Sequence, residues 1–140
     1  DGRGLVAALA LGACGVQMGT RFMATEESTA HPNLKQKLLE ATEEDTLVTS
    51  LFTGKPVRAL KNRLTQLYHQ MEAGGRRLQD PEEVSRRGWW KKAQEGNVEE
   101  GMLAAGQVAG MIRSIEPVGE LIERVVREAR EVLERLGWSG

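Results

Sequence analysis

The residues best suited to chemistry lie in one short run: Gln17, Met18, Gly19 and Thr20. A glycine beside a hydroxyl residue lets the backbone approach an anion closely and aim N–H groups at it, with the hydroxyl as a further donor. The run closes a short, largely apolar, glycine-bounded segment at residues 13–19, which reads as a central parallel strand buried on both faces. The carboxyl end of such a strand is where α/β proteins place their ligands. The same residues also suit a plain turn that caps a helix, and spacing alone does not separate the two readings. Asp1 and Gly2 open an apolar helix and would form the neighbouring loop of the same layer. Two adjacent loops of this kind are where a barrel of eight parallel strands builds a phosphate site.

Other constellations carry less. Gly2, Gly4 and Ala7 match a relaxed dinucleotide fingerprint, but the next strand ends in Gln17, Met18 and Gly19 with no carboxylate for a ribose. Gly54 and Lys55 invite a phosphate-loop reading, which fails because Thr49 stands where its first glycine should be and Pro56 where its Ser or Thr should be. The single cysteine, Cys14, excludes an internal disulfide framework and, with no base spaced beside it, reads as a buried structural thiol. His31 precedes a proline and reads as a helix entry, while His69 lies off the nearby apolar stripe and reads as solvated. Two histidines and one cysteine offer no metal-ligand spacing. Arg58 and Asn62 lie four apart on an expected polar helix face, and Trp89 and Trp90 read as packing anchors.

These candidates need elements to hold them. The 140 residues, 40% hydrophobic and 28% charged with a net charge of -1, suit one domain with a real core. Balanced charge removes any global electrostatic case for nucleic acid or an anionic membrane, and the longest apolar run, residues 5–11, is too short to span a bilayer. Asp1 caps a helix that stops near Gly12, and His31 and Pro32 open another carrying Leu34, Leu38, Leu39 and Ala41. Residues 46–52 read as a strand, and from Val57 a helical stripe runs through Leu60, Leu64, Leu67, Tyr68 and Met71. Asp80 and Pro81 start a further helix that carries the tryptophans near its end, and residues 99–112 read as a small-residue helix. Pro117 precedes a strongly amphipathic helix whose outer face would pair Glu120 with Arg124, Glu123 with Arg127 and Glu131 with Arg135. A lone parallel strand needs neighbours on both sides, so the chain is expected to be the C-terminal portion of a larger α/β protein, cytoplasmic by default.

The motifs themselves resemble a known group. Asp-Gly-Arg-Gly at 1–4, Gly-Val-Gln-Met-Gly-Thr-Arg-Phe at 15–22, His-Pro-Asn-x-Lys at 31–35, Gly-Lys-Pro-Val-Arg-Ala-Leu-Lys-Asn at 54–62 and Ala-Gly-Gln-Val-Ala-Gly-Met-Ile at 105–112 are similar to the nitronate monooxygenase (2-nitropropane dioxygenase) and enoyl-acyl carrier protein reductase II family. The resemblance implies a (β/α)8 TIM barrel with FMN at the carboxyl ends of its strands. This chain would contribute helix 7, strand 8 and a mostly helical tail. Residues 1–25 would end the barrel, 26–98 would form a helical insertion, and 99–140 would pack back on the barrel.

Carried over residue by residue, Gln17, Met18, Gly19 and Thr20 would meet the FMN phosphate or its ribityl end. Asp1 and Gly2 would edge the second phosphate loop, and Gly101, Ala104 and Gln107 would lie at the substrate opening. The catalytic histidine is expected before residue 1, so this chain alone would be inactive. The implied activity is NADH- or NADPH-dependent reduction of an enoyl thioester on acyl carrier protein, as in fatty-acid synthesis. Oxidative denitrification of alkyl nitronates is the alternative, and the implied assembly leaves room for a homodimer. A competing reading from another class is a non-enzymatic helical interaction module built on the amphipathic residues 117–136 and the tryptophan patch at Trp89 and Trp90.

Overall fold

A computed structural model of the chain describes residues 1–49, 55–74 and 88–138. The first helix, α1 (Gly2–Ala10), begins where Asp1 Oδ1 accepts the Gly4 N–H at 3.0 Å. It ends at Leu11, with Gly12 at φ 94°, a left-handed turn that glycine takes without strain. A short helix α2 (Thr20–Met23) follows, then α3 (Pro32–Glu40), whose first turn is fixed by Pro32 and by His31 Nδ1 accepting the Asn33 N–H.

The expected strand at residues 13–19 does not form. These residues join no ladder among the described residues, and Cys14 is exposed rather than buried. The reason is the one that makes such a strand a poor soloist: its amides and carbonyls need parallel neighbours on both sides, and the described residues offer none.

The described sheet is instead antiparallel. Strand β1 (Thr46–Thr49) pairs with β2 (Val57–Leu60), Thr46 opposite Leu60 and Thr49 opposite Val57. The stripe from Val57 is therefore split. Its first four residues are strand, and helix α4 (Arg63–Ala73) starts only after Asn62, whose side chain accepts the Thr65 N–H while Thr65 Oγ1 accepts the Asn62 N–H. Residues 99–112 are likewise not one helix. Residues 103–105 run extended beside β2, with Leu60 N–H donating to the Leu103 carbonyl at 2.9 Å and Ala105 N–H to the Arg58 carbonyl at 3.1 Å, and only Gln107–Met111 form a 3₁₀ turn. Their small residues serve close backbone approach: a Cβ on Gly101 or Gly110 would collide with the backbone of Ala93 or of Thr42 and Glu43.

Two apolar clusters hold this part together. Leu34, Leu38, Leu60, Leu103, Ala109 and Ile112 form one, and Leu64, Tyr68, Trp89 and Met102 form the other, with Tyr68 and Trp89 meeting edge to face at 4.6 Å. Trp89 anchors helix α5 (Trp89–Gln94) as expected, but Trp90 is exposed and packs nothing into the core. The start of the helix expected from Asp80 lies outside the described residues, and the tryptophans expected near its end instead open α5, after Gly88 in the left-handed region at φ 64°.

The last helix, α6 (Val118–Arg135), buries Leu121, Val125 and Ala129 and packs on α1, where Gly2 leaves room for the Ala129 backbone. Its observed pairs are Arg124 with Glu128 at 2.7 Å and Arg127 with Glu131 at 4.0 Å, one register away from the expected set. Arg124 turns inward toward Glu116, and that accounts for the absence of its pair with Glu120.

Candidate functional site

An open cavity of about 910 Å³ lies between α1, the start of α2, residues 108–114 and α6. Its lining includes Asp1, Gln17, Met18, Gly19 and Thr20, so the fold gathers five of the expected site residues on one rim. The backbone N–H groups of residues 17–19 have no partner among the described residues, and nothing stands within 4 Å of where a Gly19 Cβ would be. Thr20 Oγ1 accepts the Gly106 N–H at 3.0 Å, which fixes the hydroxyl and leaves its proton free to donate.

The remaining expected residues sit elsewhere. Gly2 is buried against α6 and donates its N–H to Glu128 Oε2 at 2.8 Å, so that donor is already taken. Gly101 is buried beneath α5, and its carbonyl accepts from Asn62 Nδ2 at 2.8 Å. Ala104 faces Ala59 in an isolated bridge, and Gln107 is exposed at the start of the 3₁₀ turn. None of these four lines the cavity.

A set of charges that spacing did not reveal stands beside the loop, Arg21, Arg124 and Glu128 lining the same cavity and Glu116 lying behind them. Arg21, whose side chain is 10% exposed, donates Nη2 to Glu116 Oε1 at 2.5 Å and Nη1 to the Ser114 carbonyl at 2.9 Å. Arg124 holds the same carboxylate with Nη2 at 2.7 Å and Nε at 3.2 Å, and its Nη1 reaches Glu128 Oε1 at 2.7 Å. The hydrogen bond from Arg124, helped by the charges of Arg124 and Arg21, holds the Glu116 carboxyl below the usual carboxylate range. Glu128 is lowered too, first by the Gly2 N–H and then by Arg124, whose own pKa is raised by both partners. One signal was available: Arg21 is the single charge in residues 15–24, a residue type that demands a partner when buried.

Two further expectations meet structural roles. His31 caps α3 and lies against Gly96, and Asn62 is a buried cap rather than a site partner of Arg58. Among the described residues no cluster of three or more His, Cys, Asp or Glu could hold a metal ion, and no helix is long and apolar enough to cross a membrane.

Comparison with known proteins now decides the family. The nitronate monooxygenase family profile matches residues 1–128. The chain belongs to that family. A probable nitronate monooxygenase of Staphylococcus saprophyticus is 36% identical over 96% of this chain and 38% of its own length. The solved structure of FabK from Thermotoga maritima is 40% identical with a TM-score of 0.85, covering 97% of this chain and 43% of that one. A nitroalkane oxidase from Streptomyces ansochromogenes is 33% identical with a TM-score of 0.78, over 97% of this chain and 38% of that one. The chain thus spans about two fifths of the length of these relatives. The family consists of FMN-dependent oxidoreductases, and the structural neighbours are TIM-barrel enzymes, of which this chain displays a partial α/β portion.

The residues present fit one end of FMN. Unpartnered amides at an open rim and a hydroxyl with a free proton are the donor set that a phosphate takes.

Proposed function

We propose that this chain supplies the phosphate-binding portion of an FMN-dependent oxidoreductase, and that the longer enzyme reduces enoyl thioesters on acyl carrier protein with NADH or NADPH. The observation that carries the first part is the meeting of residues 17–20 at the cavity rim with free N–H donors. Bound FMN would supply two-electron redox chemistry, while the protein supplies binding and orientation. Gln17, Met18 and Gly19 donate backbone hydrogen bonds to the phosphate, and Thr20 adds its hydroxyl. Asp1 walls the same cavity but spends its carboxylate on Gly4 and Arg3. The catalytic residues belong to the part of the enzyme that this chain does not carry.

The packing of α6 on α1 supports taking α1 and α6 as neighbouring helices of one barrel wall, with residues 13–19 as the strand beneath, residues 26–98 as the insertion and residues 99–140 returning to the barrel. The reductase assignment is supported by the 40% identity to FabK, the enoyl-acyl carrier protein reductase of the family, over nearly the whole chain. The probable nitronate monooxygenase, 36% identical, favours the second reading. A homodimer remains part of the proposal.

Anaerobic mixing of the intact flavoprotein with NADH or NADPH and, separately, with an alkyl nitronate tests both parts. Loss of flavin absorbance with the nicotinamide, and enoyl thioester turnover, is the expected result. Bleaching by nitronate alone would make the enzyme a monooxygenase, and failure to retain FMN would overturn the phosphate site.

A further inference from the structure

The charges beside the loop form a continuous line whose two ends are informative. It starts at Arg21, one residue after Thr20, and passes through Glu116, Arg124 and Glu128 to the N–H of Gly2. It therefore ties the loop at residues 17–20 to the entry of α1, using α6 as the bridge. The loop has few other restraints. Among the described residues, 13–19 join no ladder, nothing lies within 4 Å of where a Gly19 Cβ would be, and beyond Arg21 the side-chain anchor of the loop is the bond from Gly106 to Thr20.

We infer that Arg21, Glu116, Arg124 and Glu128 act as a positioning relay, through which α6 holds the loop amides in phosphate-binding geometry. This inference rests on the FMN phosphate reading given above. Three physical points support it. Signs alternate along the line, so each charge lies between partners and the set is neutral. Arg124 grips Glu116 with two donors, which fixes orientation as well as distance. Arg21 and Glu116 have side chains only 10% and 15% exposed, so removing either strands its partner in a poorly solvated place and lets the loop shift. Donors that are held in place before the ligand arrives bind it more tightly because less order remains to be imposed. The relay also consumes the Gly2 N–H, so that donor is not available to the anion.

FMN and riboflavin differ by the phosphate alone, so their affinities separate positioning from general stability. Apoenzyme of the intact protein and its Glu116→Gln and Arg124→Lys variants would be titrated with each flavin, following fluorescence quenching. Leu38→Ala, a core change in α3 that touches none of the relay's hydrogen bonds, serves as the stability control. Glu116→Gln should weaken FMN about tenfold and riboflavin less than twofold. Arg124→Lys, which keeps the charge and loses the fork, should act in the same direction with smaller effect, and it carries the test if Glu116→Gln does not fold. Leu38→Ala should leave the FMN-to-riboflavin ratio unchanged. Equal losses for both flavins, or no loss, in relay variants of an enzyme that prefers FMN would overturn the relay alone. A wild-type enzyme that binds both flavins equally would overturn the phosphate reading beneath it.

Discussion

Replacing Gly2 by alanine sets two effects of known size against each other. In an isolated helix, alanine is favoured over glycine by about 1 kcal/mol, so propensity alone predicts a more stable protein. The structure predicts the reverse. Gly2 is buried where α1 meets α6, and a Cβ there would overlap the Ala129 backbone nitrogen and Glu128 Cβ. Backbone cannot rotate aside as the end of a flexible side chain can, so the two helices must part. Overpacking of this kind costs about 1–3 kcal/mol. The same movement stretches the 2.8 Å hydrogen bond from Gly2 N–H to the Glu128 carboxylate, and a bond to a charged group contributes about 1.5–3 kcal/mol. The net expectation is a loss of about 2 kcal/mol even after the helix-propensity gain. At this chain length that is a fall in melting temperature of about 6 °C.

Gly4 is the internal control. It lies in the same helix, it is exposed, and only Asp1 Oδ1, at 3.7 Å, stands near its would-be Cβ. Gly4→Ala should therefore be neutral or stabilising, by up to about 1 kcal/mol. Urea and thermal unfolding of both variants read the difference directly. If Gly2→Ala and Gly4→Ala shift stability in the same direction, the close approach of α1 and α6 is not what selects glycine at position 2.

Asn62→Ala should destabilise by about 2–3 kcal/mol, since it removes the helix cap and leaves the Val98 and Gly101 carbonyls without their shared donor. Asn62→Asp should fare no better in urea unfolding, because it presents an oxygen to those same carbonyls. Acid should unfold the protein through Glu116 and Glu128. Both carboxyls are held below their ordinary values when folded, so the unfolded chain takes up protons first, and their contribution is full above the ordinary carboxylate range and lost as pH falls through the depressed values. Unfolding midpoints from pH 7 down to pH 3 should show a shallower acid slope in Glu116→Gln, and an unchanged slope would remove Glu116 from the account. Thr20→Val should weaken FMN severalfold by removing the hydroxyl that Gly106 orients, measured by flavin fluorescence, whereas full retention of affinity would remove Thr20 from the phosphate site.

Local chemistry was the part of the fold written plainly in the sequence. Asp1, His31 with Pro32, and Pro117 mark helix starts through interactions spanning a few residues, and α1, α3 and α6 begin where those residues stand. The candidate loop was legible for the same reason, because a glycine beside a threonine at the end of an apolar run is a short-range pattern. The errors came where one local pattern suits two structures. Val57 and Leu60 continue the period of Leu64, yet they belong to β2, because Asn62 and Thr65 close a capping box that starts the helix afresh. The small residues of 101–110 read as a helix surface, yet their smallness answers to backbones packed against Gly101 and Gly110. The relay was hidden by distance, since its links join positions 95 and 126 residues apart, where no periodicity reaches.

Residues 13–19 show why pattern and placement are separate quantities. Their composition is that of a strand covered on both faces, and hydrophobic patterning reports that demand faithfully. Burial, however, is a property of the neighbours. Val16 is 42% exposed and Cys14 is exposed as well, because the sheet among the described residues is a two-stranded antiparallel pair elsewhere in the chain. Full burial of a side chain the size of valine stabilises by about 1.5–3 kcal/mol, so the segment holds unused driving force for pairing with parallel strands. The relatives are more than twice as long as the stretch they share with this chain, and that additional length is where the proposed barrel would find them. The loop at residues 17–20 would then be fixed from both sides, by a strand ladder before it and by Arg21 after it, and its amides would face the phosphate as part of a rigid layer.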